Sequence, residues 1–218
     1  MLKLYYSPGA CSLISHIVLE EAGADYEAHA ISFADGDNHA GWFLAINPKA
    51  RVPALVTDGG ILTENPAILN YIAQTHPHAG LLPANDVLLA NQILAFNVFM
   101  ATSVHIAFRQ ISRPGDYADG PAAARALADK VPELANGFFS VVERQLEDGG
   151  GPWAYGDAYS LADPYLFVYA NYLGMGDRGD PGRFPGIAAH RQRMLARSAV
   201  KRVFAEEGLG ESVTEWFR

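Results

Sequence analysis

Hydrophobic positions along the chain change rhythm after residue 75, from short strand-like runs to helical spacing. Leu2 to Tyr6 has a strand pattern, and Ser7-Pro8-Gly9-Ala10 has turn chemistry. Ser12 to Ala22 sets Leu13, Ile17 and Val18 at helical spacing and stops at Gly23, a residue suited to the position just past a helix. Tyr26 to Ile31 is a second strand pattern. A polar, glycine-rich stretch over 34–41 and a short helical piece around Trp42 to Ile46 follow. Ala54 to Thr57 and Ile61 to Thr63 flank Asp58-Gly59-Gly60, which predicts a hairpin. Glu64-Asn65-Pro66 then opens a helix. Asn65 suits its N-cap and Pro66 its first position, where the missing N–H costs nothing. A βαβ unit followed by ββα predicts a mixed-sheet α/β domain over residues 1–76.

Residues 77–86 carry two prolines and a glycine and read as a linker, and residues 87–218 read as an all-helical domain. Asp86 to Ser112 predicts a long helix stopped by Arg113-Pro114-Gly115. Residues 121–147 predict another, with Leu127, Val131, Leu134, Phe138 and Val141 on one face and Pro132 inside it. After Gly149-Gly150-Gly151-Pro152, helices are expected over Leu161 to Leu173 and, in one or two pieces, Phe184 to Ala205. Ser160-Leu161-Ala162-Asp163 reads as a capping box with Asp in place of Glu: Ser160 accepts from the Asp163 N–H, and the Asp163 carboxylate reaches back to the Ser160 N–H.

The composition is that of a soluble globular protein, 50% hydrophobic and 18% charged over 218 residues. A net charge of -8 argues against general nucleic-acid binding. Val87 to Phe108 has no charged residue and is long enough to span a bilayer. Its Asn91, Gln92, Asn97, Thr102, Ser103 and His105 favour instead a central soluble helix buried on several sides. The one cysteine, Cys11, excludes an intramolecular disulfide, and a reducing, cytoplasmic setting follows. Nothing at the N-terminus reads as a signal peptide.

Candidate chemistry lies in two places. A cis bond at Val52-Pro53 would offer the Val52 backbone to a ligand, whereas a trans bond would leave a plain edge hairpin. The helix start at Asn65 presents free N–H groups and a positive dipole end, suited to a carboxylate. Together they would fit a peptide-like ligand. Cys11 lies where a helix start favours a thiolate, though a small buried residue fits there equally. His105 on the uncharged helix reads either as a site residue or as a hydrogen-bonded core histidine.

Four segments carry a family likeness in order and spacing: Tyr-Tyr-Ser-Pro-Gly-Ala-Cys-Ser-Leu from Tyr5, Asn-Pro-Lys-Ala-Arg-Val-Pro-Ala-Leu from Asn47, Thr-Glu-Asn-Pro-Ala-Ile from Thr63, and Ser-Leu-Ala-Asp from Ser160. From Leu2 to about Gly208 the chain resembles cytosolic glutathione transferases, most closely the bacterial beta class. The resemblance implies a thioredoxin-like first domain binding glutathione as co-substrate, a homodimer, a detoxifying transferase activity toward small hydrophobic electrophiles, and no metal. It implies a cis Val52-Pro53 bond, with the Val52 backbone pairing with the cysteinyl part of glutathione. Glu64 would take the γ-glutamyl ammonium and the Asn65 helix start its carboxylate. Cys11 would face the glutathione sulfur, with Ser12 and Tyr6 as rival hydroxyls for stabilising the thiolate. His105 would donate or relay a proton, and Thr102 would share its pocket. The electrophile pocket would involve Tyr6, Phe99, Met100, Phe108, the loop near Tyr117 and the aromatic tail Trp216-Phe217.

This sequence departs from the beta-class pattern at several points. Residues 32–41 lack the lysine that reaches the glycyl carboxylate, so either Lys49 or Arg51 would have to substitute or the carboxylate would be held less tightly. Asn65 stands where Ser is usual, Val98 replaces an Asn, and Ser103 replaces an acidic residue donated across the dimer. Rival readings are a glutathione-dependent isomerase, dehalogenase or disulfide reductase on the same scaffold, and a non-catalytic binding protein that keeps only the fold.

Overall fold

The computed structural model describes residues 1–210, in which the strand patterns of the first third assemble into one sheet of order β2-β1-β3-β4. β1 (Leu2–Tyr6) pairs parallel with β2 (Tyr26–Ala30), which requires the crossover helix α1 (Leu13–Glu21) between them. β3 (Ala54–Thr57) runs antiparallel to β1 and turns at Asp58-Gly59 into β4 (Gly60–Thr63). α2 (Gly41–Leu44) is a single turn, and α3 (Asn65–Thr75) follows β4. α1 ends as its sequence predicts. Gly23 takes φ +62°, its N–H bonds to the Glu20 carbonyl, and the Ala24 N–H reaches back to Leu19, closing a left-handed helix cap.

The chain divides into two units. The first joins residues 1–90 to residues 195–210, because α9 (Ser198–Glu206) packs on α1. Leu13 to Leu19 are consequently buried on every side, Ser15 and His16 included. Arg197 forks onto Glu21, and Arg202 pairs with Glu20, along the same seam.

The second unit spans Asn91–Met194. α4 (Val87–Phe99) continues through a π-helical turn, Met100–Val104, into α5 (His105–Ser112). α6 (Pro121–Gly149), α7 (Ala162–Leu173) and α8 (Pro185–Ala196) complete the helices. Two expectations are corrected here. The helix buried on several sides is α7, in which every residue except Tyr172 is buried, and not the uncharged α4, which exposes Val87, Leu88 and Val98. By length and composition alone Val87–Ser112 could cross a membrane, but it buries Asn97 with its apolar face. On α6 the buried stripe is Val131, Ala135, Phe139, Val142 and Leu146, while Leu134 and Val141 are exposed. The tandem pairs Phe138-Phe139 and Val141-Val142 allow either register, and packing selected the second. The helix runs on through Pro132.

The capping box forms in part. Asp163 Oδ2 accepts the Ser160 N–H (2.7 Å) and Ser160 Oγ–H (3.3 Å), but Ser160 Oγ accepts from Ala162 rather than from Asp163. Asp163 Oδ1 reaches further, taking the Ala154 N–H and His190 Nε2, both at 2.8 Å. One fully buried carboxylate thereby ties a loop and α8 to the start of α7.

Candidate functional site

The loop from Ser7 to Ser12 leaves the end of β1 and delivers Cys11 to the start of α1. Its shape is set from inside by Ser12, whose fully buried hydroxyl accepts the Ser7 N–H (3.1 Å) and donates to the Ser7 carbonyl (3.2 Å). Ser12 is thus placed as a clasp of the loop, its oxygen occupied in both roles. Gly9 takes φ +66°, a left-handed conformation that a side chain would strain, and its N–H donates to Glu207 Oε2 at 2.8 Å. Glu207 Oε1 faces Nδ1 of the fully buried His16 at 2.7 Å, and Glu206 lies 3.2 Å from Nε2.

Cys11 is half-buried, and its Sγ–H donates to the Val52 carbonyl at 3.5 Å. The Val52-Pro53 bond is cis. The Cys11 carbonyl accepts from Asn65 Nδ2 at 2.9 Å, and Asn65 Oδ1 takes the Ser15 hydroxyl at 2.5 Å. Asn65 is therefore not the N-cap of α3. Glu64 holds that position with φ +72°, Asn65 and Pro66 begin the helix, and the buried Asn65 side chain links α3 to the cysteine loop. A tertiary partner has displaced the local cap. The thiol, the positive end of the α1 dipole and the Val52 backbone meet in one unit, an arrangement suited to holding a thiolate.

Lys49 donates to Thr63 Oγ1 (2.7 Å) and pairs with Glu64 (2.5 Å), so it neutralises the carboxylate expected to take a ligand ammonium. Arg51 is exposed, with its carbonyl accepting from Asn47 Nδ2. Tyr6 is buried against His16, with ring centroids 4.9 Å apart, and burial followed by the Glu207 and Glu206 charges pushes its phenol above the usual range. It is a core residue of the first unit and does not line an electrophile pocket.

Within the helical unit, His105 begins α5 just after the π turn and tilts onto Tyr169 at 5.6 Å. Phe108 lies against Tyr169 and Tyr172 at 6.4 and 6.2 Å. Phe99 meets Phe138 edge-on, whereas Met100 is fully buried and belongs to the core. Thr102 is exposed and donates to the Val98 carbonyl, and Tyr117 is exposed. Trp216 and Phe217 lie outside the described residues. Sequence reasoning missed His16, Ser15, Gly9 and Glu207. The Glu207 contacts join positions 191 and 198 residues apart, and no local pattern announces them. Among the described residues no group of His, Cys, Asp and Glu is placed to hold a metal ion.

Comparison with known proteins finds the glutathione S-transferase N-terminal domain over residues 1–74 and the glutathione S-transferase C-terminal domain over residues 109–207. Glutathione S-transferase GstA of Escherichia coli O157:H7 is 34% identical over 95% of this chain and all of its own length. A glutathione transferase homolog from Sulfitobacter, solved with bound glutathione, superposes with a TM-score of 0.88 at 37% identity, covering 94% of this chain and 98% of its own. A bacterial beta class glutathione S-transferase from Sphingomonas chungbukensis does so at 0.78 and 32% identity, covering 95% and 99%.

Proposed function

The chain belongs to the glutathione S-transferase family and is a glutathione transferase, and we propose that it binds and activates glutathione around Cys11 in a homodimeric, cytoplasmic enzyme. The observation that carries this reading is the 3.5 Å contact of Cys11 Sγ with the Val52 carbonyl. It sets the thiol beside the backbone that would pair with the cysteinyl part of glutathione. The Val52 backbone and Pro53 then align the tripeptide, Glu64 takes its ammonium in exchange for Lys49, and the Asn65 N–H at the positive end of α3 takes its carboxylate. Lys49, released from Glu64 by that exchange, and the exposed Arg51 are the cations for the glycyl carboxylate. Asn65 contributes by holding the Cys11 carbonyl, and Ser12 by shaping the loop.

Two reactions follow from this geometry. In conjugation the glutathione thiolate attacks an electrophilic carbon, and the helix start stabilises the sulfur charge. In thiol exchange the Cys11 thiolate attacks one sulfur of a glutathione disulfide; a mixed disulfide forms and glutathione leaves as thiolate. Replacing Cys11 with Ala is expected to abolish the one-glutathione mass increment that oxidised glutathione gives the wild type, read by intact-protein mass spectrometry. A persistent increment would remove Cys11 from this role. Calorimetric titration of reduced glutathione tests the site as a whole, and saturable binding in the micromolar to millimolar range is expected.

The exposed Val87, Leu88 and Val98 on the charge-free α4 support a second copy as their cover. Leu88→Glu should therefore shift sedimentation equilibrium from dimer to monomer. An unchanged mass would place the dimer contact elsewhere.

A further inference from the structure

Among the described residues, two that are not glycine take a positive φ, Ala50 at +54° and Glu64 at +72°. Ala50 adjoins Lys49, and Glu64 is the residue that Lys49 pairs with. Side chains hold such a backbone only where their surroundings impose it, and these places gather at ligand sites. Two buried asparagines impose the first. Asn47 Nδ2 donates to the Arg51 carbonyl (2.6 Å), its Oδ1 accepts the Lys49 N–H (3.2 Å), and its carbonyl takes the Ala50 N–H (3.0 Å). Asn38 Nδ2 donates to the Ala50 carbonyl at 3.2 Å. Glu64 is held by its own carbonyl, which accepts from Ala67 (3.1 Å) and Ile68 (3.0 Å) in the first turn of α3.

The Lys49 ammonium is thus presented from a tied loop, and it meets Thr63 Oγ1 at 2.7 Å as well as Glu64 Oε1 at 2.5 Å. Both side chains of the pair are exposed, and an exposed pair alone counts for little. Here a second acceptor on β4 and a held backbone on each side set the geometry beforehand. The pair decides what Glu64 presents to a ligand. The α-ammonium of glutathione can replace Lys49 on Glu64, one cation for another. A thiol of the same shape without that ammonium brings only its terminal carboxylate, and beside a bare Glu64 the two like charges would repel. With Lys49 left on Glu64 that repulsion is cancelled.

We propose that Lys49 is a specificity-determining residue that stands in for the ligand's α-ammonium, so that this enzyme also binds γ-glutamyl-type thiols lacking one. For glutathione itself the lysine gives way. For a thiol without the ammonium it stays, and the ligand carboxylate meets a neutralised Glu64. This ligand class deepens the glutathione reading and rests on it.

The test measures Kd by calorimetry for two thiols, glutathione glycyl ethyl ester and its desamino counterpart, in which glutaryl replaces the glutamyl group. The ester removes the glycyl carboxylate, which a displaced Lys49 would otherwise follow. In Lys49→Met the ratio of Kd, desamino over parent, is expected to rise about fivefold or more above that of the wild type. Lys49→Arg keeps a cation and should restore most of the wild-type ratio. In a Glu64→Gln background there is no carboxylate to neutralise, and Lys49→Met should leave the ratio unchanged. A ratio in Lys49→Met within about twofold of the wild type overturns the proposal. So does an equal rise in the Glu64→Gln background, which would mean that Lys49 acts without Glu64. If the parent ester binds and the ratio does not move, Lys49 alone fails. If neither thiol binds either protein, the glutathione reading fails and takes this ligand class with it.

Discussion

Asp163→Ala is expected to destabilise the protein by about 3–5 kcal/mol, the largest effect of any single exchange considered. The carboxylate is fully buried and accepts from two backbone N–H groups, the Ser160 hydroxyl and His190 Nε2. His190 is itself fully buried, and its Nδ1 has no hydrogen-bond partner among the described residues. Removing the carboxylate would leave that imidazole with neither nitrogen satisfied and would orphan the Ala154 and Ser160 donors. Each buried donor left without a partner costs about 1–3 kcal/mol. Asp163→Asn keeps one acceptor oxygen and should cost about half as much. Urea unfolding followed by circular dichroism measures both. A loss under about 1 kcal/mol for the alanine variant would mean that water replaces the carboxylate.

Glu207→Ala should damage stability and glutathione binding together. The side chain is buried, with one oxygen on His16 and the other on the Gly9 N–H, two residues before Cys11. Deleting it leaves His16 buried without its nearest carboxylate and releases the left-handed Gly9 from its anchor. A loss of about 3 kcal/mol in unfolding free energy and a roughly tenfold weaker calorimetric Kd for glutathione are expected. Glu207→Gln can still accept from Gly9, so its affinity should recover more than its stability. An alanine variant that is destabilised but binds glutathione with unchanged affinity would separate the His16 contact from the loop.

The features legible in the sequence are those fixed by neighbours along the chain. Asp58-Gly59-Gly60 makes its hairpin, Gly23 ends α1, and the Val52-Pro53 bond is cis once the family likeness is seen. Features decided across the fold were misread. Asn before Pro reads as an N-cap, but Ser15 and the Cys11 carbonyl draw that side chain away. The absence of charge on α4 reads as burial on several sides, although Val87, Leu88 and Val98 face outward. The π turn at Met100–Val104 has no signature that separates it from an ordinary helix of the same residues. The family motifs pointed to Cys11 and Glu64 but not to Glu207, because a carboxylate near the end of α9 looks like any exposed helix residue until α1 is laid beside it.

The clasp between Gly9 and Glu207 also has a bearing on time. The anchor of the cysteine loop is synthesised 198 residues after the loop itself. At about 5–20 residues per second, that is an interval of about 10–40 s. Throughout it the sheet can form, but the loop lacks its final hold and α1 its α9 cover. The nascent chain therefore reaches its working thiol geometry only once α9 and Glu207 have emerged, and a chain cut short before α9 leaves Cys11 on an unanchored loop.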